Sequence, residues 1–195
     1  MTETTNPRTE RVRTALLEAC RELVSRKPVE DISATEVAEL AGVSRPVLYR
    51  QFGDVASLVA ATAEEFIRSV SARIDEQLPF SDDVAHLEEF MARFVNSVYE
   101  QRDFCRNAMY GPSSIQIFGL VSELLRERME RGIVGSRLHD LPDGGADCMN
   151  AIAAGVIWML TVWLDSDFEG PNAPDAMAKR FADTLFQLSG VAHDD

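Results

Sequence analysis

The stretch LAGVSRPVLYRQF, residues 40–52, has the residue types that end one short helix and begin another within a few residues. Gly42 can adopt the left-handed conformation that ends a helix at little cost. Ser44 is a residue type that caps helices, and Pro46 then lies in the first turn, where its missing N–H would be unsatisfied anyway. The stretch therefore predicts a tight turn and then a short helix that ends near Gln51.

The residues just before this stretch predict a matching short helix. Ser33 and Glu36 have the spacing of a capping box, in which each side chain bonds the backbone amide of the other residue. The helix that they begin lasts about two turns, to Ala41. Two short capped helices joined by a glycine turn are the sequence form of a helix-turn-helix, whose second helix lies in the major groove of DNA.

The charge distribution supports a search for a DNA-binding surface near the N-terminus. The chain has 195 residues, 46% of them hydrophobic, and a net charge of −13, which argues against a protein that coats nucleic acid non-specifically. Residues 1–55 carry a net charge of only −1, and the rest of the chain carries −12. Any surface that meets a polyanion is therefore expected in the N-terminal quarter.

Apolar residues recur with a helical period from end to end, and no strand alternation is evident. The pattern predicts an all-α fold of about nine helices. The apolar run 151–164 is too short to span a membrane and predicts a buried helix. The glycine-rich segment GIVGSRLHDLPDGG, residues 132–145, predicts a loop. Cys20, Cys105 and Cys148 are odd in number and widely spaced, so they predict reduced thiols rather than a disulfide framework.

The last two predicted helices carry more apolar surface than one packed layer needs. The helix over 146–164 is apolar on every face in its second half, and the final helix has a second apolar strip at Ala178, Ala182 and Phe186. This surplus favours a subunit interface, and a central position of both helices in a monomeric core is the alternative.

The stretch TALLEACRELVSRKPVEDISATEVAELAGVSRPVLYRQFGDVASLV, residues 14–59, resembles the N-terminal pattern of the TetR family of transcriptional regulators. The resemblance implies a three-helix helix-turn-helix DNA-binding domain over residues 1–53. It also implies a helical ligand-binding and dimerisation domain over residues 54–195. The expected protein is a cytoplasmic homodimer, held by its last two helices, that represses at a near-palindromic operator and is released by a small ligand.

The resemblance also suggests roles for individual residues. It assigns Tyr49 to a DNA phosphate, with packing on the first helix as the alternative. Arg45 is the best candidate for reading a guanine, and Thr35 resembles a phosphate-contacting hydroxyl. The full set expected at DNA is Thr35, Ser44, Arg45, Val47, Tyr49, Arg50 and Gln51. One departure is Val55, which stands where the family commonly has a phosphate-binding lysine.

The ligand site is predicted from apolar content alone. Its candidate residues are Phe90, Phe94, Met109, Tyr110, Phe118, Val121, Met149, Ile152 and Trp158. Apolar walls with Tyr110 or Trp158 as polar tips would suit a hydrophobic or aromatic effector. Each of these residues is also a candidate for plain core.

Two other classes of protein remain open at this stage. An enzyme is disfavoured because the chain lacks metal-ligand, nucleotide-binding and nucleophile motifs, so no cofactor and no metal are expected. Clustering of His139, Cys105 and Cys148 in space would revive a metal site. A helical dimeric adaptor or ligand-binding protein without DNA binding is the second alternative, and Val55 keeps it open. No membrane partner is expected.

Overall fold

The computed structural model describes residues 7–190, which form ten α-helices and contain no β-strand. The predicted all-α fold class is confirmed, with one helix more than the approximate count. The helices are α1 Pro7–Val24, α2 Ala34–Leu40, α3 Arg45–Phe52, α4 Val55–Gln77, α5 Val84–Glu100, α6 Arg102–Tyr110, α7 Ser114–Arg131, α8 Ile133–Leu138, α9 Ala146–Trp163 and α10 Pro174–Ser189.

The described chain divides into two compact units. The N-terminal unit contains the residues up to Phe66 together with Gln101–Ile117, and the C-terminal unit contains Ile67–Glu100 together with the residues from Phe118 onward. Helix α4 therefore contributes its first half to one unit and its second half to the other. The functional boundary at residue 53 stays a prediction, because compactness alone does not test it.

The N-terminal unit is a three-helix core to which a later helix is added. Leu16, Val37 and Leu48 are fully buried and bring α1, α2 and α3 together. The side-chain amide of Asn107, on α6, donates to the carbonyl of Val24 at 2.7 Å. Helix α6 is thereby attached to the end of α1, far from it in sequence.

Helix α10 organises the C-terminal unit, since it packs against α5, α8 and α9. Ala182 and Phe186 on α10 are almost fully buried, and Val84, Leu87 and Ile133 pack against them. The second apolar strip that the sequence showed on this helix is therefore covered within the chain.

The prediction of a loop over residues 132–145 is wrong for one part of that segment. Residues Ile133–Leu138 form α8, whereas Asp143, Gly144 and Gly145 have positive φ angles that no regular helix contains. A Cβ at Gly135 would lie 2.5 Å from the carbonyl oxygen of Glu130. This glycine therefore allows α8 to pack directly against the end of α7, whereas the sequence suggests that it breaks the helix.

The helix that contains the apolar run is long and apolar enough to cross a membrane by length and composition alone. The span is Asp143–Trp163, and 39% of its apolar stretch of 18 residues is buried. The core helix of a soluble protein has the same length and composition. Trp158 and Val162 are the large exposed side chains of this helix, 65% and 52% exposed.

Candidate DNA-binding face and ligand cleft

Helix α2 begins with the predicted capping box. The Ser33 hydroxyl accepts from the amide of Glu36 at 3.2 Å, and the Glu36 carboxylate accepts from the amide of Ser33 at 2.9 Å. Lys27 donates to the same carboxylate at 2.7 Å. The hydrogen bond from Lys27, followed by those from Ser33, lowers the pKa of Glu36 to about 2. These contacts fix the turn between α1 and α2.

Helix α3 has one buried face and one exposed face. Leu48 is fully buried, whereas Ser44, Arg45, Tyr49 and Arg50 are exposed. The Arg45 guanidinium lies 3.4 Å from the Tyr49 hydroxyl and 5.9 Å from the centre of its ring. A cation and a phenol therefore stand together on the outer face of this short helix.

The remaining residues predicted at DNA flank this pair. Val47 and Gln51 on α3 and Thr35 on α2 are half-buried. Ser44 occupies the N-cap position of α3 without a side-chain capping bond, so capping does not occupy its hydroxyl. The DNA roles of all seven residues stay predictions.

Helix α4 begins at Val55, directly after the turn that follows α3. The Asp54 carboxylate accepts from the amide of Ser57 at 2.7 Å, and this bond lowers the pKa of Asp54. Asp54 therefore caps the start of α4. Val55 is the first residue of the helix and brings no positive charge there.

The C-terminal unit contains a cleft with two lobes that share Phe90, Met91, Leu125 and Arg128. The larger, here called the apolar lobe, has an empty volume of about 550 Å³ with the solvent at its open mouth included. Besides the shared residues, its walls are Ile67, Ser71, Phe94, Val121, Leu124, Val156, Ile157, Leu160 and Phe181.

Arg128 lies where the two lobes meet. Its guanidinium carbon is 3.4 Å from the centre of the Phe90 ring. Its two terminal nitrogens donate to the Asp75 carboxylate at 2.8 and 3.3 Å. The charge of this largely buried arginine is therefore balanced by an ion pair and by an aromatic face.

The second lobe, here called the histidine lobe, contains His86. Its other walls include Phe80, Ser81, Asp83, Leu87, Met129, Ile133 and Leu185. The His86 ring packs edge-on against Phe80, with 5.5 Å between ring centres. The side chain of Asp83 accepts from the backbone amide of His86 at 2.7 Å, which caps α5.

The predicted ligand residues fall in three groups. Phe90, Phe94 and Val121 line the apolar lobe. Met149 and Ile152 are buried, and Phe118 is half-buried. The third group lines neither lobe: Met109 and Tyr110 belong to the N-terminal unit, and Trp158 is on the C-terminal unit. Tyr110 and Trp158 are both exposed. The ligand roles of these residues stay predictions.

Sequence reasoning missed His86 and Arg128, two of the polar residues in the walls of the cleft. His86 precedes Phe90 and Phe94 by four and eight positions, and Arg128 follows Val121 and Leu125 at helical spacing. A polar residue on an otherwise apolar helical stripe is the signal that could have identified both. Leu124 and Phe181 lack such a signal, since apolar core residues look alike in sequence.

The condition for a metal site is not met in the part of the chain that the structure describes. No group of three or more histidine, cysteine or acidic side chains there could hold an ion. Burial raises the pKa of the Cys20 thiol to about 11 and that of Cys105 to about 12. Both groups therefore remain protonated thiols at neutral pH.

These features define a class of protein: an all-helical protein with an N-terminal helix-turn-helix and a separate helical unit that holds an apolar cleft. Residues 16–62 match the family model described as bacterial regulatory proteins, tetR family. The resemblance predicted for residues 14–59 is thereby confirmed over the matched residues, which have the pattern of the N-terminal domain of the TetR family. No curated protein sequence matches the chain at a significant level.

Solved structures show the same fold over most of the chain. NalD of Pseudomonas aeruginosa, a secondary repressor of the MexAB-OprM multidrug efflux pump, is 22% identical, with 96% of this chain and all of that one covered, at a TM-score of 0.61. AlkX of Dietzia sp., a TetR-family repressor implicated in n-alkane biodegradation, is 16% identical, with 96% and 100% covered and a TM-score of 0.60. A TetR regulator from Rhodococcus sp. RHA1 is 16% identical, with 93% and 97% covered, at a TM-score of 0.65. These proteins are regulators rather than enzymes.

Proposed function

We propose that this protein is a cytoplasmic transcriptional repressor that binds a near-palindromic operator as a homodimer and leaves it when a small, mostly apolar effector binds. The observation that carries the proposal is the exposed face of α3, where Arg45 and Tyr49 stand together above the buried Leu48. A short helix of this kind can enter the major groove with its first turn towards the bases.

The roles on this face follow from side-chain chemistry. Arg45 reads a guanine through two parallel hydrogen bonds, which would be worth about 1–3 kcal/mol of discrimination. Tyr49 and Thr35 bind phosphate through their hydroxyls, which positions the helix without selecting sequence. Ser44, Val47, Arg50 and Gln51 complete the contact surface.

The dimer is proposed to form through α9 and α10. Trp158 and Val162 on α9 and Leu188 on α10 expose apolar surface, which suits an interface between two identical faces. A dimer of this kind presents two α3 helices to half-sites about one DNA turn apart.

Effector release is proposed to act through α4. The cleft that holds Phe90, Phe94 and Val121 is the proposed effector site, and Ile67 and Ser71 on the second half of α4 line it. The first half of α4 begins directly after α3. An effector that prefers another position of α4 would change the distance between the two α3 helices of the dimer, so that they no longer match the half-sites. The coupling free energy between effector binding and DNA binding would be about 1–3 kcal/mol.

The decisive experiment selects binding sites from random duplex DNA with the full-length protein. We expect a near-palindrome with half-sites about 10 base pairs apart, and an affinity that falls steeply between about 50 and 200 mM salt. Arg45→Ala should weaken binding and relax the preference at one base of each half-site. Tyr49→Phe should weaken binding equally on all sequences.

Arg26→Ala is the matched control, because it also removes an exposed arginine, but one that lies outside α3. Arg26 is in the turn after α1 and pairs with Glu22. The Arg26→Ala variant should bind the selected site as the wild type does. Recovery of no preferred sequence at low salt, from folded protein free of ligand, would overturn the proposal and favour the adaptor without DNA binding.

A further inference from the structure

The ring of His86 is buried and makes no hydrogen bond to the protein within residues 7–190. The residue is 9% exposed, and neither its Nδ1 nor its Nε2 has a partner among the described residues. Buried polar side chains are nearly always hydrogen-bonded, so an imidazole without a protein partner is a candidate contact for a bound molecule. The ring lines the histidine lobe, so a molecule in this lobe could reach it.

The charges around this lobe are already compensated, which bears on the ligand that His86 would bind. Arg128 is held by Asp75 and by the Phe90 ring. Asp83 accepts from the Ser81 hydroxyl and from the His86 amide, and its negative charge would repel an anion in the same lobe. An uncharged hydrogen-bonding group therefore suits this position better than a carboxylate.

A hydroxyl group matches the needs of the imidazole. A hydroxyl both donates and accepts, so it can bond either ring nitrogen whichever one carries the proton. Most other walls of the histidine lobe are apolar, among them Leu87 and Met129, and the neighbouring apolar lobe shares Met91 and Leu125 with it. A hydroxyl at one end of an apolar body fits this arrangement.

We propose that the effector is an uncharged, mostly apolar molecule with one hydroxyl group, an alcohol or a phenol, and that His86 is the residue that binds this hydroxyl. The inference rests on the proposed function in taking this cleft as the effector site. It adds the chemical class of the ligand and the residue that selects it.

The test is direct titration of the full-length protein, without DNA, by calorimetry. The probes are 4-butylphenol and 1-decanol, each compared with the hydrocarbon and the carboxylate of the same skeleton: butylbenzene and 4-butylbenzoate, decane and decanoate. We expect a hydroxyl compound to bind about ten times more tightly than its hydrocarbon, since one buried hydrogen bond contributes on this scale. The carboxylates should bind more weakly than the hydroxyl compounds.

Two substitutions of His86 test whether this residue causes the preference for hydroxyl compounds. His86→Leu should abolish the preference for the hydroxyl compound while leaving hydrocarbon binding intact. Without ligand it should melt at the wild-type temperature or above, because the unsatisfied imidazole is gone. His86→Gln should retain most of the preference, since an amide also donates and accepts. Asn96→Ala, which changes an exposed side chain of the same helix α5 outside both lobes, is the control and should behave as the wild type.

Several outcomes would overturn the inference: no binding of either hydroxyl compound, tighter binding of a carboxylate, or an unchanged hydroxyl preference in His86→Leu. Operator binding, measured separately with the same probes, distinguishes this failure from failure of the proposed function. Binding that depends on His86 but leaves operator affinity unchanged supports the inference and contradicts effector release. Release that is equally strong in His86→Leu supports the function and contradicts the inference.

Discussion

Glu36 takes part in two kinds of interaction at the start of α2. Its carboxylate completes the capping box with Ser33 and accepts an ion-paired hydrogen bond from Lys27. Because Lys27 lies in the turn after α1, this carboxylate joins the two helices that support α3.

We expect Ser33→Ala to lower the free energy of unfolding by about 1 kcal/mol, because one amide at the start of α2 loses its capping oxygen. Urea denaturation followed by circular dichroism would measure the change. Thr184→Ala removes a hydroxyl that lies inside α10 and is a suitable control, expected to change stability by less than about 0.5 kcal/mol. Equal losses in the two variants would contradict a specific capping role.

Glu36 also gives stability a dependence on acidity. The pKa of Glu36 is about 2 in the folded protein, below its ordinary value of 4.5. The stabilisation by its charge is therefore fully present above about pH 4.5 and is lost as the pH falls towards 2. Glu36→Gln retains a capping acceptor without the charge.

The melting temperature of the wild type should therefore exceed that of Glu36→Gln at pH 6. The difference should shrink as the pH is lowered towards 2.5, as thermal melts across this range would record. If the difference in melting temperature between the two proteins is the same at every pH, the charge of Glu36 is not what stabilises the wild type.

At the scale of elements, α8 depends on the absence of a side chain at Gly135. We expect Gly135→Ala to lower the free energy of unfolding by about 1–3 kcal/mol, because the new Cβ would meet the carbonyl oxygens of Met129 and Glu130. Gly119→Ala is the matched control, since Gly119 lies inside α7 with open space around it. This substitution should stabilise the protein by about 0.4–1 kcal/mol.

Denaturant unfolding of the two glycine variants would measure this contrast. A neutral Gly135→Ala would mean that α8 does not approach the end of α7 as closely as the structure has it. The same contrast explains why the sequence misled over residues 132–145. Both residues are glycines, and their different roles arise only from what packs beside them.

At the scale of the whole molecule, the exposed apolar face of α9 and α10 governs the proposed assembly. We expect Trp158→Glu combined with Val162→Glu to convert a dimer into a monomer, because charges at the centre of an apolar interface would be buried without partners. Sedimentation velocity would measure the mass, and operator affinity should fall in parallel.

Ile115→Glu is the control for this experiment, because Ile115 is also highly exposed but lies at the start of α7 in the N-terminal unit. The Ile115→Glu variant should sediment with the same oligomeric mass as the wild type. A Trp158 and Val162 variant that remains dimeric would exclude this face as the interface.

The helix-turn-helix was readable from sequence because its signals are local. The capping box spans Ser33 to Glu36, Gly42 ends α2 with a φ of +65°, and Pro46 lies in the first turn of α3. Each feature involves residues within a few positions of one another, so the amino-acid types alone specify the backbone. The spacing of α2 and α3, and the outward position of Arg45 and Tyr49 opposite Leu48, follow from them.

The helical class, the helix-turn-helix and the residues that face outward from it therefore follow from local sequence. Which apolar residues line a cleft depends on tertiary packing, because Phe90 and Phe94 look like core until α4, α7 and α9 are placed around them. Tertiary packing also pairs Arg128 with Asp75 across 53 positions and attaches Asn107 to the end of α1 across 83. Such contacts depend on how distant segments pack, which local residue preferences do not specify. The buried, unpartnered ring of His86 became visible in the same way.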